Sequence, residues 1–188
     1  LLPLKKDQIH SVAVIGPNAD SREILKGNYN GTASVSYTIL EGIQRELAGS
    51  ARVYYSEGCD LVRDQVEALA EPDDRISEAV AAARRSDVVF LCLGLNATLE
   101  GEEGDAANSY AGADRKDLGL PDPQCRLLKA VCETGTPVVL LVASGGAVSL
   151  PYAQEHCAAI LHVWYPGQMG GIAVADILFG NTVPSGKL

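Results

Sequence analysis

Four carboxylates crowd one short stretch of the chain: Glu100, Glu102, Glu103 and Asp105. A carboxyl group with a raised pKa can donate a proton to a leaving group and, once ionised, take one from water. Cleavage of a glycosidic bond uses two such groups flanking one bond. Spacing alone favours the plainer reading, a solvated acidic loop on an acidic protein. A second polar pair, Asp114-Arg115, closes the stretch.

Other residues with chemical potential are weaker. Ser144 follows an apolar run, as a nucleophilic serine would, but its context is Ala-Ser-Gly-Gly rather than G-x-S-x-G, and no histidine has an obvious claim to partner it. His162 falls within an apolar run and reads as a satisfied core histidine. Trp164 and Tyr165 could line a sugar or cofactor site, with core or interface packing weighing at least as much. Gly16 follows the first apolar run, yet a dinucleotide fingerprint needs G-x-G-x-x-G and only one glycine is present. A tight strand-to-helix turn with Asn18 or Asp20 as helix cap is the favoured reading there.

The elements that must position these groups alternate. Apolar runs at residues 9–16, 51–55, 88–93, 138–143 and 158–164 read as strands. Helical spacing recurs over 37–47, 76–83, 121–133, 151–156 and 170–179, the third opened by Pro121-Asp122-Pro123. Near-continuous apolar strands separated by helices predict an α/β three-layer sandwich. Its sheet is mostly parallel and doubly wound, of about five to six strands with right-handed crossovers. The acidic stretch, 87–120, then begins as a strand buried on both faces and opens into a long loop. Such a loop, at the end of a buried strand, is where α/β proteins keep their chemistry.

Composition bounds the partners. The chain has 188 residues, 47% hydrophobic, with a net charge of -9. That suits one domain with a sizeable core and argues against nucleic acid or an anionic membrane, which reward clustered Lys and Arg. No apolar run approaches the ~20 residues of a membrane span. The five cysteines, Cys59, Cys92, Cys125, Cys132 and Cys157, include no CxxC and sit mostly in apolar contexts. They read as buried structural thiols of a reducing compartment, which favours the cytoplasm. With three scattered His, no metal site is expected. Leu1 is not an initiator Met, so the chain reads as a piece of something longer.

Taken together, several segments resemble one family. LLPLKK, VAVIGPNAD, GNYNG, DVVFLCLGLNATLEGEEG with DRKDLGLPDPQ, TPVVLLVASGGAVSL and AILHVWYPGQMGGIAVADILFGNTVPSGKL follow, in order, the second, α/β-sandwich domain of glycoside hydrolase family 3, the β-glucosidase and β-xylosidase type. The resemblance covers essentially all of residues 1–188. It implies the acid/base-contributing domain of a retaining, exo-acting β-glycosidase that removes terminal sugars from β-linked oligosaccharides and glycosides. It implies no cofactor, and as partner an N-terminal TIM-like barrel of the same polypeptide that carries the nucleophilic Asp and is absent from this chain. The domain alone is then expected to be inactive. Glu102 is the first choice for the acid/base, Glu100 the alternative and Glu103 the third. The family's short form is interrupted here by an insertion, Asp105 to Ala113. Asp114 and Arg115 match the family's Asp-Arg pair and read as loop anchors. The competing readings are a purely structural or cleft-completing domain, and a nucleotide-binding or receiver-like module. The sugar and its linkage are not legible, since the resemblance places most sugar contacts on the barrel.

Overall fold

The computed structural model describes residues 1–63, 73–100, 115 and 117–186. Among these, five strands form one parallel sheet: β1 (Ser11–Ile15), β2 (Arg52–Ser56), β3 (Val88–Gly94), β4 (Val138–Ala143) and β5 (Ala159–His162), in the order β2-β1-β3-β4-β5. The helices are α1 (Ile39–Glu46), α2 (Asp74–Arg84), α3 (Asp122–Cys132), α4 (Pro151–His156) and α5 (Gly170–Leu178). This is the α/β sandwich expected from the alternation of elements.

The apolar runs are continuous because both faces of the sheet are covered. Side chains alternate across a strand. Val12, Val14, Phe90, Cys92, Val139 and Leu141 therefore pack on one side with Ile39, Ile43, Val174 and Leu178 of α1 and α5. Ala13, Ile15, Val89, Leu91, Leu140 and Val142 pack on the other with Ala79, Leu127, Val131 and Ala153 of α2, α3 and α4. Phe90 meets Phe179 edge to face, ring centroids 6.1 Å apart.

Helices α1 and α5 approach closely through a pair of glycines. A methyl group at Gly42 would stand 2.0 Å from the Gly171 carbonyl oxygen, and one at Gly171 would stand 1.9 Å from that of Thr38. Backbone cannot yield as a side-chain tip can. Gly42→Ala is therefore expected to lower stability by about 1–3 kcal/mol through overpacking. Ala is the better helix former by about 0.8–1 kcal/mol, so an exposed site would respond in the opposite direction. The midpoint of urea unfolding decides: a rise would remove the close-packing argument.

Two local expectations are corrected. Neither Asn18 nor Asp20 caps a helix directly after β1. The Asn18 amide N–H donates to the Cys92 carbonyl (3.3 Å) and its side chain donates to the Leu95 carbonyl (3.3 Å). Asp20 instead accepts the Thr38 hydroxyl at 2.8 Å. Thr38 itself caps α1, accepting the Glu41 N–H while Glu41 accepts the Thr38 N–H, a reciprocal capping box. The last strand is also shorter than the apolar run. Val163 N–H makes its bond to the Val142 carbonyl (2.8 Å), and Trp164 then adopts a left-handed conformation, φ 57°. That is a rare state for a bulky side chain and turns the chain out of the sheet.

Candidate active site

The carboxyl ends of β3, β4 and β5 converge on one side chain, Glu100. The chain leaves β3 at Gly94, whose N–H and carbonyl are both held by the buried amide of Gln124 on α3, at 2.8 Å each. Gln124 also donates to the Leu61 carbonyl at 2.7 Å. Asn96 then folds the next residues into a turn. Its side-chain oxygen accepts the Thr98 N–H (3.1 Å) and hydroxyl (2.7 Å), and its carbonyl accepts the N–H groups of Leu99 and Glu100. Asn does this readily because its short side chain reaches backbone two residues on.

The turn delivers the Glu100 carboxylate to the residues after β4 and β5. Gly145 N–H donates to Oε2 at 2.6 Å and Gly146 N–H donates to Oε1 at 3.0 Å. The Tyr165 hydroxyl donates to Oε2. The Arg115 guanidinium stands 3.6 Å from Oε1 and also donates to the carbonyls of Ala147 (2.8 Å) and Gly119 (3.3 Å). Both charged side chains are largely buried, 13% exposed for Glu100 and 16% for Arg115. Burial first, and then the bond to Glu100, push the Tyr165 phenol far above its ordinary range, so it remains a donor. A methyl group at Gly146 would stand 3.0 Å from Oε1 and one at Gly145 3.1 Å from the Tyr165 ring, so a side chain at either position would press on the grip. Asn28, in the GNYNG segment, donates to the Glu100 carbonyl at 3.1 Å.

Behind this cradle sits a pair that the sequence does not suggest. His162 Nε2 lies 2.9 Å from the Ser144 hydroxyl oxygen and 3.2 Å from the Ser144 carbonyl. Ser144 therefore does have a histidine partner, contrary to expectation, because β4 and β5 are neighbours in the sheet. The pair is not a nucleophile and its base. The Ser144 hydroxyl directs its proton to the Gly146 carbonyl (2.8 Å), and Ser144 is fully buried. With that proton committed, Nε2 must be the donor toward Ser144. The pair shapes the Ser144–Gly146 turn that grips Glu100. Trp164 stacks on the His162 ring, centroids 4.3 Å apart, with 56% of its surface exposed.

Of the sequence candidates, the structure thus brings Glu100 and Arg115 together. Glu102, Glu103 and Asp114 lie outside the described residues. Gln124, Ser144, Tyr165 and His162 are the supporting groups. Motif reading weighs Ser144 as a nucleophile, Tyr165 as a sugar or cofactor lining and His162 as a core residue, and misses their place around Glu100. Gln124 alone carries a signal, as a polar residue on the apolar side of its helix. Gly16 makes no phosphate cradle: a methyl group there would stand 2.2 Å from the Cys92 carbonyl oxygen, so the glycine serves the close approach of β1 to β3. Among the described residues no cluster of three or more His, Cys, Asp or Glu could hold a metal ion.

Fold and site together define a parallel α/β sandwich domain with a glutamate, Glu100, clamped at the carboxyl edge of its sheet. The chain belongs to the glycosyl hydrolase family 3 C-terminal domain family, whose sequence model matches residues 1–188. A β-xylosidase of Formosa agariphila is 34% identical over 194 residues, covering all of this chain and 25% of that protein. A periplasmic β-glucosidase of Salmonella typhimurium is 34% identical over 202 residues, again all of this chain and 25% of that protein. Among solved structures, a β-glucosidase from Erythrobacter marinus superposes with a TM-score of 0.82 at 34% identity, over 96% of this chain and 25% of that one. A glycoside hydrolase family 3 exo-β-xylosidase in complex with a xylobiose aziridine probe gives 0.82 at 34% identity, over 100% and 22%. The chain thus spans about a quarter of the length of these relatives.

Proposed function

We propose that this chain is the acid/base-contributing domain of a retaining, exo-acting β-glycosidase, with Glu102 as the general acid/base. Family membership over the whole chain supports the glycosidase reading, and relatives named β-xylosidase and β-glucosidase supply the substrate class of terminal β-linked sugars. The observation that carries the choice of Glu102 is the state of its neighbour. The Glu100 carboxylate accepts two backbone N–H groups and a tyrosine hydroxyl beside an arginine. A carboxylate with both oxygens taken up by donors of its own domain is committed to positioning the chain, and not to meeting a substrate. Glu100 therefore acts as the hinge-pin of the loop, which leaves Glu102 ahead of Glu103. Arg115 holds the far end of the same loop, through the carbonyls of Ala147 and Gly119.

The chemistry has two steps. Glu102 protonates the glycosidic oxygen while a carboxylate outside this chain attacks the anomeric carbon. Glu102 then takes a proton from the water that releases the sugar. The two carboxyl groups of a retaining site stand roughly 5–5.5 Å apart. Because one of them is supplied by the remainder of the polypeptide, the isolated 188-residue domain is expected to turn over no aryl β-glycoside. Release of aryl alcohol by the purified domain, above a buffer blank, would refute the shared-site reading. Glu102→Gln in the full-length protein tests the assignment itself, through the dependence of rate on leaving group.

A further inference from the structure

At the opposite, amino-terminal end of the strands, two thiols face each other. Cys132 is the last residue of α3, just before the loop into β4. Cys157 caps the end of α4, two residues before β5. Their Sγ atoms are 3.9 Å apart and share one S–H hydrogen bond. Both are half-buried against the same core layer as Leu127 and Val131. The other three thiols differ: Cys59 and Cys92 are buried, and Cys125 is exposed. The expectation that the cysteines are uniformly buried structural thiols is thereby corrected for three of them. Cys132 and Cys157 come partly to the surface where α3 and α4 end, and Cys125 is exposed within α3.

We infer that Cys132 and Cys157 are a built site for an intramolecular disulfide, formed by exchange with a low-molecular-weight disulfide such as oxidised glutathione. A disulfide needs its sulfurs at about 2.05 Å. The pair here is at van der Waals contact. Each cysteine terminates a helix, so the gap closes by a side-chain rotation and a small shift of a helix end. No interior hydrogen bond of α3 or α4 has to break.

The step balances. The Cys132 thiolate attacks one sulfur of the small disulfide and expels a thiolate, giving a mixed disulfide. The Cys157 sulfur, losing its proton to solvent, then attacks Cys132 Sγ and expels the second thiolate. Two protein thiols are oxidised and one small disulfide is reduced to two thiols. Cys132 is the first nucleophile because the shared S–H favours its ionised form and, by the same contact, disfavours that of Cys157. The cross-link spans 25 residues and ties α3 to α4 across β4. It lies away from Glu100 and is independent of the proposed catalytic reading.

The test uses the full-length protein, folded, incubated with excess oxidised glutathione and then blocked with iodoacetamide. Cleavage after Lys, Arg and Glu places Cys132 on the peptide 130–133, Cys125 on a separate one, and Cys157 on the peptide 156–187. The expected result is a joined species of 130–133 and 156–187, two hydrogens lighter than the sum of its parts. Native labelling of Cys132 should fall to background and return after dithiothreitol. Recovery of the two peptides apart, whether alkylated or each carrying its own glutathione, overturns the inference. Joining of either peptide to one bearing Cys59, Cys92 or Cys125 overturns it equally.

Discussion

Turnover of a β-glycoside with a poor leaving group is expected to fall about 10²–10⁴-fold in Glu102→Gln, the usual contribution of a positioned acid/base. Gln keeps the shape of Glu but holds no exchangeable carboxyl proton. The loss should depend on the leaving group, because a dinitrophenolate departs without protonation. With that substrate the first step survives and the second slows, since no base activates water. The glycosyl-enzyme then accumulates, seen as a burst of one aryl alcohol per site. Azide needs no deprotonation, so it should accelerate the slow step and yield a glycosyl azide of retained configuration. Equal losses on both substrates, with no burst and no response to azide, would sink the assignment. The same signature in Glu103→Gln instead would move the role one residue on. Global stability should be untouched in Glu102→Gln.

Glu100→Ala is expected to behave quite differently. It removes the acceptor from Gly145 N–H, Gly146 N–H and Tyr165, and leaves Arg115 without its carboxylate. Deleting one member of a largely buried charged network costs about 3–5 kcal/mol, most of it from the partners left unpaired. The effect is local, so a midpoint for the whole protein is a blunt readout. Amide hydrogen exchange at Gly145 and Gly146 reports it directly, and protection there should collapse. Activity should fall alike for good and poor leaving groups, because a loop that has lost its anchor misplaces its acid for both. Unchanged exchange at the two glycines would show that the carboxylate does not hold the turn. A rate loss confined to poor leaving groups, rescued by azide, would instead mark Glu100 as the proton donor.

The fold was largely legible because a parallel sheet covered on both faces must be written in uninterrupted apolar runs. Val138–Ala143 and Pro151–His156 end where their sequence signals end. The error at β5 has a clear source. Trp164 is a strand former by type, and its left-handed backbone is imposed from outside the strand. There the chain must turn for Tyr165 to reach Glu100. The same reason hides most of the site. An acidic loop after a buried strand is visible in sequence. That Glu100 is gripped by backbone 45 residues away and a phenol 65 residues away is not. Two of the grips are peptide N–H groups, which every residue but proline possesses. Ser144 and His162 meet only because β4 and β5 are adjacent.

Glu100 and Arg115 are also the two ends of one excursion of the chain, and both are fastened to the same turn, at Gly145, Gly146 and Ala147. The excursion is therefore closed at its base by the contacts of its two ends. Chain closed in this manner can change length cheaply, each doubling costing only about 0.6 kcal/mol in closure entropy. The turn after β4 thus serves as one socket for both ends, whatever the length of chain between them. Added length between the two ends, such as Asp105 to Ala113, therefore carries little closure cost of its own. Grafting between homologous enzymes should respect the same two cut points.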